Sequence, residues 1–249
     1  RGPRMDNAGY IALSRLMAQA RTTAMLANNM ANADTPGFRA ARPVFAQHLD
    51  RQHAVDEPRG GSELAFTWDR AAWRDTAPGP VQTTGNPLDV AISGEGMFVL
   101  RTEKGERYTR AGRFALGADG TVVDPEGHAL LGTGGEPIQL GLNDTRITIS
   151  GEGVVSSENG ELGRIRIVRF ADGQKPQAEG DRLFASDTPP EAVDRPTLVQ
   201  GAVEGSNVRP ILEMTRMTEE LREFQFTAQF AEREDERIRN ALDRILKKR

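Results

Sequence analysis

Imidazoles can act as general bases near neutral pH and as transition-metal ligands, so His48, His53 and His128 are the first residues to test for chemistry. A zinc site needs three or four ligands at short, characteristic spacings, and these histidines show none. No Ser stands in the strand-turn-helix setting of an exposed nucleophile, and no nucleophile sits beside a His. The chain contains no Cys, which removes thiolate chemistry and disulfides. Carboxylates gather in "ADGTVVDPEG" as Asp119, Asp124 and Glu126, but the calcium-loop spacing with its closing bidentate Glu is missing. They read as turn-forming side chains. "SGEGMF" holds Gly94 and Gly96, a fragment of a phosphate loop. The third Gly is absent and both flanks read as strand, so a turn between strands is expected instead. Asn143 in "NDT" matches a glycosylation acceptor and also reads as a turn. No catalytic, cofactor-binding or metal site is expected, and no cofactor.

The totals narrow the class further. A formal net charge of -4 over 249 residues, with Arg interspersed among Asp and Glu, argues against a nucleic-acid binder. A mean hydropathy of -0.52 is polar for an enzyme of this size. The 26 Gly and 14 Pro predict many turns and a β-rich portion. No run of about 18 apolar residues is available for a membrane span. The start has no basic region followed by an apolar core, so no secretory signal peptide is expected, and residues 1–4 ahead of Met5 are set aside.

Whatever the chain does must then rest on its elements. From Asp6 to Ala31, the residues Tyr10, Leu13, Met17, Ala20, Ala24, Ala27 and Ala31 recur at alternating spacings of three and four. That is the seam of a coiled-coil-type helix, here built mostly of Ala, the best helix former. The far end repeats the pattern at Met214, Met217, Leu221, Phe224, Ala228, Ala231, Ile238, Leu242 and Ile245, broken only by Asp235. This helix is expected to start near Pro210, since a first turn does not need the N–H that Pro lacks. It then runs to the C-terminus, about 55 Å long. Two such helices at opposite chain ends suggest pairing with each other and with neighbours.

Between them lie short β-type runs separated by Gly- and Asp-rich turns. Asp119-Gly120, between Phe114–Leu116 and Val122–Val123, signals a hairpin. Residues 80–203 read as one antiparallel, Greek-key-like β domain. Residues 41–79 lack clean periodicity and read as a connector packing partly on that domain. "ANADTPGFRA" stops the first helix: Thr35-Pro36-Gly37-Phe38 suits a type II turn, Pro fixing φ at its second position and Gly supplying positive φ at its third. Pro36 also biases Thr35 away from helix. The expected fold class is α+β, with long coiled-coil-type terminal helices flanking a central, mainly antiparallel β domain. Its expected segments are a first axial helix at 5–35, turn and connector at 36–79, the β domain at 80–205 and a second axial helix at 206–249.

Three blocks carry a resemblance. "LANNMANADTPGFRA", "TGNPLDVAISGEGMFVL" followed by "YTRAGRFALGADGTVVDPEGHALLG", and "LVQGAVEGSNVRPILEMTRM" resemble, in order and spacing, the bacterial flagellar rod and hook axial proteins. The blocks cover most of the chain except the connector. Within the family, "MDNAGYIALSRLMAQ" fits a proximal-rod member better than a distal-rod one. "RPILEMTRMTEE" departs from the pattern in being more charged. The resemblance implies a non-enzymatic subunit that polymerises through its terminal helices into the drive shaft of the basal body. It also implies other rod subunits and the flagellar type III export apparatus as partners, and a rod crossing the periplasm. The signature residues Asn28, Asn29, Asn32, Thr35, Pro36, Gly37 and Phe38 would form the turn leaving the inner helical layer. Of these, the Asn amides are expected to hydrogen-bond between subunits, with capping and solvent exposure as the other reading. Two alternatives stay open: a distal-rod subunit, or a cell-wall-associated β-domain binding module or enzyme.

Overall fold

The computed structural model describes residues 6–51, 63–141, 144–171, 176–180 and 182–247; side chains are not described at 6–11, 44–72, 241, 242 and 245. Two compact units emerge, neither continuous in sequence: one of residues 1–31, 41–73 and 209–249, the other of 32–40 and 74–208.

The first unit holds helix α1 (Asp6–Ala31) and helix α2 (Pro210–Leu246). Both boundaries follow local chemistry. Asn32 and Pro36 end α1, and Pro210 opens α2 with Glu213 in its first turn, where negative charge complements the helix dipole. The helices pack antiparallel, since Asn29 near the end of α1 meets Glu213 near the start of α2, and Arg15 meets Glu223. The same unit includes strands β1 (Ala41–Arg51) and β2 (Glu63–Arg74), which form a two-stranded sheet. The segment 41–79, read from the sequence as a connector packing partly on the β domain, includes these two strands. Only its last residues, from Arg74, belong to the β unit. Within β2 the apolar residues Leu64, Phe66 and Trp68 do alternate with Ala65, Thr67 and Asp69, a short period-two signal that the sequence reading passed over.

The second unit is built of antiparallel strands with no helix among its described residues. Strand β3 (Val81–Thr83) pairs with Ala202–Glu204, and β4 (Val90–Ile92) with Leu198–Gln200, so the two ends of this segment are zipped together. The main sheet centres on β5 (Met97–Thr102), which pairs with β6 (Gly105–Thr109) on one edge. Along its other edge it pairs with Ile167–Arg169 and, further on, with a short strand at Ala129–Leu130. Strands β7 (Ala115–Leu116) and β8 (Val122–Val123) form the expected hairpin around Asp119-Gly120 and pass on to β9 (Ala129–Leu130). A separate three-stranded sheet joins Thr148–Ile149, Val154–Ser157 and Gly160–Arg164. The β domain read from the sequence is thus one compact unit whose described strands form a nine-stranded sheet, a three-stranded sheet and two strand pairs.

The unbroken apolar run "FVL" in β5 is explained by burial on both faces. Phe98 and Leu100 enter one core cluster with Ile92, Phe114 and Ile165, whereas Val99 enters another with Tyr108, Val168 and Phe184. Phe98 and Phe114 meet edge to face, with centroids 5.2 Å apart. Each such fully buried side chain contributes about 1.5–3 kcal/mol of hydrophobic stabilisation.

Candidate assembly site

The two helices present apolar residues on more than one face, and the chain itself covers only one. On α1 the packed row is Ala12, Gln19, Thr22, Leu26 and Asn29, all buried and about half of them polar. The seam read from the sequence is turned outward instead. Leu13 is 53% and Met17 54% exposed, and Ala20, Ala24, Ala27 and Ala31 are exposed as well. Tyr10 lies among the side chains that are not described. On α2 the covered positions are Glu213, Met217, Glu220, Thr227, Ala231, Glu234 and Ile238, again at spacings of three and four or their sum. Met217, Ala231 and Ile238 of the predicted seam fall in that row, and Ala228 is half-buried beside it. Met214, Leu221, Phe224 and Asp235 are exposed; Leu242 and Ile245 lie among the undescribed side chains. Sequence reasoning missed the inner row because Glu213, Glu220, Thr227 and Glu234 recur every seven residues as polar groups, and an apolar search settles one residue further on. It also passed over Phe226 and Phe230, one turn apart and 72% and 52% exposed.

The polar inner row is held by a buried node. The fully buried Glu213 carboxylate accepts from Asn29 Nδ2 at 3.1 Å, from Arg42 Nη1 at 2.7 Å and from Arg216 Nη1 at 2.9 Å. Asn29, also fully buried, donates to the Ala41 carbonyl at 2.9 Å and accepts from the Ala41 N–H at 2.8 Å. One Asn and one Glu thereby tie the end of α1, the start of β1 and the first turn of α2. The expectation that the Asn29 amide bonds between subunits is corrected: its hydrogen bonds are satisfied inside the chain. Asn32 instead accepts from Thr35 Oγ1 at 3.1 Å in the turn that follows. Towards the other end, Arg15 and Gln19 donate to Glu223 at 3.1 and 3.5 Å. Glu220, half-buried in the same row, is pushed up from the usual carboxylate range by desolvation and by the neighbouring Glu223 charge.

The signature turn is built as its sequence suggests and belongs to the β unit. Phe38 N–H donates to the Thr35 carbonyl at 3.2 Å, and Gly37 has φ of +70°, the geometry of a type II turn. A Cβ on Gly37 would stand 2.2 Å from the Ala111 nitrogen, so only Gly fits. Phe38 is fully buried against Ala40 and Val208, with the Arg74 guanidinium 5.0 Å above its ring. Beside it, Glu204 is paired with both Arg39 and Arg110 at 2.7 and 2.6 Å, all three buried. Arg110 further donates to the carbonyls of Gly94 and Gly96 at 2.9 and 2.6 Å, which accounts for "SGEG" as a strand-joining turn. Burial holds the Arg39 guanidinium below its usual range, partly offset by Glu204. Asp119 caps its own turn, accepting from the Thr121 N–H at 3.1 Å and hydroxyl at 2.8 Å. His53 lies outside the described residues, as does the side chain of His48.

A long antiparallel helix pair that leaves apolar residues exposed, on one chain with an all-β unit, suits a structural protein. Comparison with known proteins agrees. Residues 10–39 match the family described as flagella basal body rod protein, 91–157 the flagellar hook protein FlgE/F/G D1 domain, and 199–244 the flagellar basal body rod FlgEFG protein C-terminal region. The chain is 35% identical to the flagellar basal-body rod protein FlgF of Caulobacter vibrioides, covering 97% of this chain and 98% of that one. The FlgF of Salmonella typhimurium is 32% identical, over 89% and 91% of the two chains. The rod protein FlgG of Agrobacterium fabrum is 30% identical, over 91% and 94%. The chain belongs to the flagellar basal-body rod protein family and is a structural subunit rather than an enzyme. Within that family it is most like the members called FlgF. No described helix is long and apolar enough to cross a membrane.

Proposed function

We propose that this chain is a proximal-rod subunit that polymerises through its terminal helices into the shaft transmitting torque to hook and filament. The observation carrying this reading is the outward apolar stripe Leu13, Met17, Ala20, Ala24, Ala27 and Ala31, while the intrachain face is half polar. Burying that stripe against neighbours, in coiled-coil fashion, removes it from water. Phe226 and Phe230 add a bulky surface on α2. A bulky face on one helix against a small-residue face on another copy is a heterologous contact, which propagates into a filament instead of closing on itself. Neighbouring rod subunits are therefore the partners, and the signature Asn28 and Asn32 are placed with the assembly determinants. The chain would pass through the flagellar type III export apparatus, and the rod would cross the periplasm.

A helix pair whose inner row is about half polar also fits partly deferred ordering: the terminal helices gain further stability on joining the rod, which disfavours premature assembly. Amide exchange tests this. Residues 20–31 should exchange fast in the monomer and slowly in assembled rods; strong protection in the monomer contradicts it. The proximal assignment rests on the greater identity to FlgF than to FlgG. Cross-linking inside intact basal bodies tests it, because neighbours belonging to the distal rod alone would make this a distal-rod subunit.

A further inference from the structure

The turn joining β8 to β9 gathers three side chains with the chemistry of a cation site. Its residues are Asp124, Pro125, Glu126, Gly127 and His128, and Gly127, at φ of +89°, reverses the chain so that the first, third and fifth face one another. His128 Nδ1 lies 3.1 Å from Asp124 Oδ2 and 3.8 Å from Glu126 Oε2, and one ligand atom from each residue falls within 4.8 Å of the others. Two ligands bound to one ion at about 2.1 Å, with angles between about 90° and 125°, stand about 3 to 3.8 Å apart. The separations from the imidazole are in that range, and closing the third requires a shift of Glu126, whose other carboxylate oxygen is paired with Arg182.

The remaining carboxylate oxygens are already fixed. Asp124 Oδ1 accepts from the N–H groups of Glu126 and His128 at 2.9 and 2.8 Å, and Glu126 Oε1 is paired with Arg182. Such outer contacts orient the ligand atoms, while Asp124 Oδ2 and His128 Nδ1 share a hydrogen bond at 3.1 Å that an ion between them would replace. Two carboxylates against one Arg leave the three-residue set itself net negative, although Arg101, Lys104, Arg107 and Arg113 line the same groove. An imidazole with two carboxylates suits zinc, nickel or copper better than calcium or magnesium. Glu126 and His128 also line a groove of about 1100 Å³, so the open coordination positions are accessible. We propose that Asp124, Glu126 and His128 form a binding site for a divalent first-row transition-metal ion, with Nδ1 of His128 as its nitrogen ligand.

Calorimetric titration of zinc or nickel chloride into the full chain tests this. Wild type should show one saturable site, weakened at least about tenfold by His128→Gln and by Glu126→Gln, and unchanged by His48→Gln or His53→Gln. Circular dichroism should be the same for all variants, since both substituted ligands are partly exposed. Zinc should also shift the His128 imidazole resonances in NMR spectra of the wild type. Equal affinity of His128→Gln and wild type, or no saturable binding by wild type, overturns the proposal.

Discussion

Asn29 illustrates how one residue can carry three elements. Its amide makes hydrogen bonds to the Ala41 backbone in both directions and to Glu213, all without access to water. Asn29→Ala leaves a buried carboxylate and a backbone pair under-satisfied, at a cost of about 2–4 kcal/mol. A lower urea midpoint for the helical unit should register it, together with Glu213→Ala, and the double mutant should fall well short of the sum. Phe38→Ala empties a fully buried site and is expected to cost about 3–5 kcal/mol. It should lower the thermal midpoint of the β unit, and normal assembly by this variant would remove Phe38 as an anchor of the turn. Gly37→Ala should destabilise the same unit, because both its positive φ and the Ala111 backbone exclude a side chain.

At the scale of an element, the outward and inward faces of the helices make opposite predictions. Leu221 and Phe224 are exposed in the single chain, so Leu221→Asp or Phe224→Asp should leave the monomer's circular dichroism unchanged. In an assembled seam each would bury an unpaired charge at a cost of several kcal/mol. Incorporation into rods, and motility of a strain carrying only the variant, should be lost. The same logic applies to Phe226→Ser with Phe230→Ser, whose monomer should be more soluble and no less stable. Motility retained in both sets would move the interface to another face.

For the whole molecule, acid is the simplest lever. Glu158 is pulled down to about 2 by the Thr145 hydroxyl and the N–H groups of Thr145 and Arg146; Glu179 is pulled down to about 2 by Arg107 and Lys104. A carboxyl whose folded pKa is depressed stabilises the fold above its unfolded value, here near 4.5, and loses that contribution as pH falls through the folded value. Stability of the β unit, followed by urea unfolding, should therefore decline between about pH 5 and pH 2. Glu158→Gln should lower stability at pH 7 and flatten that decline. Both groups are solvent-exposed, so each effect should be small and should shrink with added salt.

Local signals were strong enough to be read directly. The end of α1 before "TPGF", the start of α2 at Pro210, the hairpin at Asp119-Gly120 and the positive φ of Gly37 all follow from backbone preferences of neighbouring residues. Such preferences act over four or five positions and need no partner. Which face of each helix turns inward was decided elsewhere. Asn29 and Glu213 are 184 residues apart, and only the packed helix pair makes their burial favourable, since each satisfies the other. Seen alone, both are polar residues that belong in water. The same holds for Asp124, Glu126 and His128, whose types are plain in the sequence but whose meeting depends on the turn that Gly127 closes. Residue type set what each side chain could do; the tertiary fold set which of them are near enough, and dry enough, to do it together.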